Sequence, residues 1–192
     1  MTENNRTWTF WLLLVIAASA CLGLGDLQPS DFKCPDGARL VHGDPLPGSD
    51  AARELGVTAA EWCEKEGKKE GLYRERYPNG QLYRTIDFRN GKIHGLYRLF
   101  FEDGKKRMES YYEDGLRSGR TTIWHEEGGL SEVADYKIRD GDVYGRFTSW
   151  DKEGNKVAEG ARFNQERHGR WVIYMPDGTV RVKKYVKGQR IE

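Results

Sequence analysis

The chain has 192 residues, 38% hydrophobic and 32% charged, with a formal net charge of +1. That length accommodates one folded domain with a leader and a linker rather than several domains. So polar a composition suits a thin sheet with little two-sided burial. With aromatics at 12%, large rings must supply the buried area, each burying about 150–250 Å².

Taken in chain order, residues 1–20 read as a signal peptide. Arg6 lies in a short polar segment, Phe10 to Ala20 form an apolar run, and Ala18-Ser19-Ala20 supply small residues for a cleavage site. The run is shorter than the roughly 20 residues of a spanning helix. Cys21 follows at once. Small residues directly before a cysteine resemble a bacterial lipobox, which implies a diacylglycerol-modified Cys21 as the mature N-terminus. Ala18 stands where that motif usually carries leucine, so ordinary cleavage and an uncleaved anchor remain open.

Residues 21–65 read as a linker and an irregular N-terminal cap. This stretch holds 4 basic and 8 acidic side chains, against 26 and 21 in residues 66–192. Pro35-Asp36-Gly37 and Pro47-Gly48 signal turns, and Thr58-Ala59-Ala60-Glu61 has the spacing of a helix capping box. With Cys21 set aside for lipid, Cys34 and Cys63 make an even pair. In an oxidising compartment they are expected to form a bridge holding this segment against the first repeat, over an edge that would otherwise invite pairing.

Residues 66–192 repeat. Gly71/Gly80, Gly95/Gly104, Gly119/Gly128, Gly145/Gly154 and Gly169/Gly178 each enclose eight residues, and the leading glycines are spaced by 24, 24, 26 and 24. A fixed period of this length marks stacked supersecondary units. Aromatic and β-branched runs such as Leu99-Phe100-Phe101 and Trp171-Val172-Ile173-Tyr174 follow each leading glycine and favour strand. Each run ends at a turn such as Asn79-Gly80, Asp103-Gly104 or Asp177-Gly178. Apolar residues at alternate positions then mark a second strand, as in Leu82, Ile86 and Phe88. Asn90-Gly91, Asp114-Gly115, Asp140-Gly141 and Lys187-Gly188 close most units. The expected fold is all-β: an elongated antiparallel meander of five hairpins and about ten strands. Asp103-Gly104 is expected to be the tightest turn of its unit. Thr121 stands where the neighbouring units carry an aromatic, Gly128-Gly129 reads as part of a two-residue insertion, and Gln165 takes a turn glycine's place. Units three and four are therefore expected to be less regular.

These residues resemble the MORN repeat, in the variant found in bacterial envelope and antitoxin-like proteins. The likeness rests on the aromatic after each leading glycine, the Asp-Gly or Asn-Gly turns, and the link Asn90-Gly91-Lys92-Ile93-His94-Gly95. It spans residues 66–192 and implies a sheet of consecutive hairpins. His94 and His168 fill the same slot and read as link elements.

Catalytic motifs are absent: there is no G-x-S-x-G elbow, P-loop or H-E-x-x-H. No enzyme activity, cofactor or metal is expected, and nucleic acid is not an expected partner. The expected role is an interaction or structural scaffold anchored by lipid in the bacterial envelope, facing the periplasm or outside. Its partner would be a protein or cell-envelope component. Tyr97, Trp124, Phe147, Trp150 and Trp171 are the candidate contacts, with core packing as the competing role. They recur two or five residues after the leading glycine, offsets that fall on opposite strand faces. The resemblance also implies an alternative, a toxin-neutralising immunity protein. The basic run Arg181 to Arg190 reads as a solvated face that also protects a sheet edge, with weak contact to an anionic surface as the other reading.

Overall fold

The computed structural model describes residues 32–46 and 54–191. The leader 1–20 and Cys21 lie outside the described residues. Among the described residues thirteen strands pair in chain order into one antiparallel sheet. At its N-terminal end stand β1 (Arg39–Gly43) and β2 (Ala60–Lys65). Five repeat hairpins follow. Unit one is β3 (Lys68–Arg76) with β4 (Leu82–Arg89), and unit two is β5 (Lys92–Phe100) with β6 (Lys106–Glu113). Unit three is β7 (Leu116–Trp124) with β8 (Leu130–Arg139), and unit four is β9 (Asp142–Trp150) with β10 (Lys156–Phe163). Unit five is β11 (Glu166–Tyr174) with β12 (Val180–Val186), and the two-residue β13 (Gln189–Arg190) ends the sheet.

The ten repeat strands are thus extended by three more. The segment expected to be irregular contributes β1 and β2, and the capping-box residues Ala60 and Glu61 open β2 instead of a helix. Trp62 and Cys63 alternate there between opposite faces of a pleated strand, so tertiary pairing overrides the local helix signal. Cys34 and Cys63 are bonded, with S–S 2.13 Å. Next to them Pro35 lies over Gly71, where a Cβ would come within 2.8 Å of its ring.

Two turn types alternate. The closing turns hold two residues in the left-handed region, as at Asp140 (φ 53°) and Gly141 (φ 83°). Asp103-Gly104 is not the tightest turn of unit two: the closing turn Asp114-Gly115 is, with both residues at positive φ, and at Asp103-Gly104 the loop is wider. Phe101 N–H bonds the Lys105 carbonyl at 2.8 Å, Gly104 N–H bonds the Phe101 carbonyl at 2.9 Å, and of Asp103 and Gly104 only the glycine has positive φ. The Asp103 carboxylate accepts from Lys105 N–H at 2.9 Å, fixing the loop locally. Where Gln165 replaces glycine the tight turn persists, with Asn164 at φ 46° and Gln165 at φ 72°.

Leading glycines mark bulges. Between the pairs Ile86↔Tyr97 and Phe88↔Ile93, Asp87 faces three residues of β5, Gly95 among them at φ 110°. The Asp87 carboxylate accepts from Leu96 N–H at 3.0 Å and fills the space a side chain on Gly95 would need. The same register step occurs at Gly71, Gly119 and Gly169. Gly145 differs: β8 and β9 pair without interruption from Glu132↔Ser149 to Arg139↔Asp142. The two inserted residues lie in the ten-residue β8 and match the pair that bulges elsewhere. Gly128-Gly129 forms an ordinary wide turn with His125. The stretch expected to be least regular thus holds one uninterrupted pairing, β8 with β9, while β9–β10 and β10–β11 within it keep register shifts.

Residues opposite one another across a pair share a face. One row runs Trp62, Tyr73, Ile86, Tyr97, Ser110, Thr121, Ala134, Phe147, Gly160 across nine strands. On this packed face arginines cover the rings. Arg84 lies over Tyr73, Arg117 over Tyr112 and Tyr136, Arg162 over Phe147, and Arg167 over Trp171 and Tyr185. Planar guanidinium groups stack on aromatic faces while their stems cover apolar surface. Carboxylates answer two of them: Glu75 binds Arg84 and Glu132 binds Arg162 at 3.2 Å. At Thr121 two hydroxyls replace rings, with Ser110 Oγ 2.6 Å from Thr121 Oγ1 and both side chains buried.

Candidate functional site

The opposite face of the sheet is open and carries a different pattern. One residue after the leading glycine, units three, four and five place Arg120, Arg146 and Arg170. All three are exposed, and none makes an ion pair, hydrogen bond or ring contact among the described residues. Register puts Arg120, Asp135, Arg146 and Ala161 in one row, and pairs Arg170 with Lys184. A second row runs Thr122, Val133, Thr148, Glu159, Val172, Val182 from β7 to β12.

Four residues beyond each arginine on the same strand stand Trp124, Trp150 and Tyr174, all half-buried, with Phe100 in line ahead of them. Across the strands they face Leu130, Lys156, Val180 and, for Phe100, Lys106. Repeat-equivalent ion clusters hold two of these rings. Lys156 Nζ donates to Glu159 at 3.0 Å, Tyr174 O–H donates to the same carboxylate at 2.9 Å, and the lysine lies over the tyrosine ring. Arg98 and Lys106 both donate to Glu109, at 2.9 and 3.1 Å, and Lys106 lies over Trp124. Hydrogen bonds from Lys156 and then Tyr174 hold the Glu159 carboxyl below its usual range. Desolvation pushes Glu109 up, but the bonds from Arg98 and Lys106 outweigh it and the net shift is downward. Both carboxylates are therefore ionised at neutral pH and accept hydrogen bonds only.

Between the arginine and aromatic lines lies a shallow open basin of about 520 Å³, lined by Arg146, Thr148, Glu159, Ala161, Arg170 and Val172, with Phe147 and Gly160. Gly160 is required beneath it. On the packed face the Trp171 ring sits where a Cβ would approach its Cδ2 to 2.5 Å.

The five candidate contacts divide between the faces, as their offsets require. Trp124 and Trp150 are on the open face. Tyr97, Phe147 and Trp171 are on the packed face, and Phe147 (8% exposed) and Trp171 (2%) are core residues rather than contacts. Phe147 packs on Trp171 at 5.0 Å between ring centres, and the Trp171 indole N–H donates to the Ala161 carbonyl. Tyr97 packs beside Tyr112 and receives a bond from Arg84. Sequence reasoning passed over Arg120, Arg146, Arg170 and Tyr174, although each recurs at a fixed offset from a leading glycine.

The histidine slot has a structural role. Asp114 N–H reaches His94 Nδ1 at 3.3 Å and Lys187 N–H reaches His168 Nδ1 at 3.5 Å, so each ring grips the next closing turn. Among the described residues there is no group of three or more histidine, cysteine or acidic side chains that could hold a metal ion. No helix among them is long and apolar enough to cross a membrane.

Residues 69–90 and 93–115, covering most of units one and two, match the MORN repeat variant family. The chain therefore carries MORN-type repeats, and the same hairpin pattern continues through units three to five. No curated protein matches the chain.

Proposed function

We propose that this chain is a non-enzymatic scaffold of the bacterial cell envelope whose open face, over units three to five, holds a partner. The observation that carries this reading is the line Arg120, Arg146, Arg170, exposed and without an ion pair among the described residues. Most arginines elsewhere in the sheet stack on rings or meet carboxylates. Arg181, exposed on the packed face, does neither, and Arg170 attracts Glu159 electrostatically, but only Arg120, Arg146 and Arg170 recur at one repeat offset on the open face. MORN repeats generally serve in protein or membrane interaction, which agrees with a surface role. Anchoring is assigned to a lipid on Cys21, and the Cys34–Cys63 bond supports an oxidising compartment.

Thr148 and Ser149 are chain neighbours on opposite faces, which provides the test. A photo-crosslinking residue at 148 is expected to give adducts in intact cells, whereas one at 149 gives none. Adducts from 149 alone, or equally from both, would remove the open face from the account.

A further inference from the structure

We propose that the open face of units three to five binds an extended polyanionic glycan lying across the strands. This rests on the scaffold reading above and names its partner. Neighbouring strands are about 4.8 Å apart, so Arg120, Arg146 and Arg170, on alternate strands, stand roughly 10 Å from one another. Trp124, Trp150 and Tyr174 repeat with the same interval along a parallel line. Such a double line fits a polymer with a regular repeat better than a globular partner, whose contacts have no reason to be periodic.

Chemistry narrows the polymer. Arginine, with its fixed fork of donors, pairs with carboxylate, phosphate or sulfate groups. Trp150, and whatever ring surface Lys106 leaves open on Trp124 and Lys156 on Tyr174, offer flat apolar faces, which suit the C–H faces of pyranose rings. Thr122 and Thr148 both donate and accept, and the ionised Glu159 carboxylate accepts only, while Val133, Val172 and Val182 alternate with them, so the floor between the lines takes hydroxyls and C–H groups together. An acidic glycan brings anionic groups, apolar ring faces and hydroxyls together.

The alternatives fit less well. A phospholipid surface would meet the arginines with its phosphates but has no ring faces to lay along the aromatic line, although Leu130, Val180 and Val182 are exposed beside that line. Single-stranded DNA would use the rings and arginines but has no hydroxyl along its chain to donate to Glu159. The Cys34–Cys63 bond also points to a compartment poor in nucleic acid. The clusters of Lys156 with Glu159 and Lys106 with Glu109 hold the Tyr174 and Trp124 rings in place beforehand, which lowers the ordering cost of binding.

The test is calorimetric titration of the purified full chain with long oligogalacturonate and, separately, with a sulfated heparin-type oligosaccharide. Neutral dextran, phosphatidylglycerol vesicles and single-stranded DNA serve as the comparison set. The expected result is binding of at least one acidic oligosaccharide, weakening as salt rises, with dextran inert. R146E/R170E and W150A are each expected to weaken it about tenfold or more, on the scale of lost charge-assisted and stacking contacts. R181E, an exposed change on the packed face, leaves it unchanged, and circular dichroism confirms that each variant is folded. Failure of both acidic oligosaccharides to bind overturns the proposal. So does equal weakening by R181E, or vesicles or DNA alone showing the variant-sensitive binding. Crosslinking at 148 still decides the scaffold reading in each of those cases.

Discussion

The closing turn of unit four offers a perturbation whose sign and size follow from backbone geometry alone. Gln165 holds φ 72° in a position that is glycine in the other closing turns of the repeat. A left-handed conformation costs an L-residue roughly 1–2 kcal/mol, whereas glycine adopts it freely. Glycine gives back roughly 0.5–1 kcal/mol through the greater freedom of its unfolded chain. Gln165→Gly is therefore expected to stabilise the protein by about 0.5–1 kcal/mol, or a rise of roughly 2–4 °C per kcal/mol in melting temperature at this chain length. Gly141→Gln is the reciprocal change. Gly141 has φ 83° and open space around its absent Cβ, so the cost is purely conformational and should be of similar size with opposite sign. Urea denaturation of both variants, followed by tryptophan fluorescence, reads the shifts. A destabilising Gln165→Gly, or a neutral Gly141→Gln, would refute the assignment of these turns.

Trp171→Ala removes a ring packed between Phe147, Tyr185 and Arg167 and is expected to cost about 3–5 kcal/mol. Because repeats contact only their neighbours, lost hydrogen-exchange protection should concentrate in β9–β12 and spare β3–β5; uniform loss would contradict this. Tyr73, Tyr77 and Tyr83 all have pKa values raised from 10.0, chiefly by burial. A raised folded-state pKa gives stability that is intact below pH 10 and is lost above it as these groups ionise. Alkaline titration should thus show tyrosinate absorbance at those residues appearing together with loss of β-sheet ellipticity, and early titration without unfolding would oppose it. Cys21→Ser is expected to release the chain from membranes and abolish fatty-acid labelling; a wild-type chain that takes up no label would end the lipid-anchor reading.

Much of the architecture was legible because the period is written in glycines. Paired turns and alternating apolar residues suffice to place ten strands. The N-terminal strands were hidden by their shortness, and Thr58-Ala59-Ala60-Glu61 carries a helix signal that only pairing with β1 and β3 overrides. The fate of the two inserted residues was also out of reach. Whether they loop out or restore register depends on the bulge opposite them, and β8 takes the second course.

The site was harder to read, for a related reason. Arg117 and Arg120 lie three residues apart and look alike in sequence. Their odd separation puts them on opposite faces of the pleated strand, Arg117 over rings and Arg120 in solvent. Phe147 and Trp150 differ likewise. The first is roofed by Arg162 with the guanidinium 4.3 Å from the ring centre, while the second has no such cover among the described residues. Offset from the leading glycine assigns the face, but burial depends on which arginine comes across from the next strand.

The central claim, that the open face is occupied in the cell, is tested most directly by hydroxyl-radical footprinting of the chain in intact envelopes and after purification. Trp124, Trp150 and Tyr174 are expected to oxidise readily in the purified chain and to be protected in the envelope, while the buried Trp171 stays slow in both. Equal oxidation of Trp124, Trp150 and Tyr174 in the two preparations would contradict it.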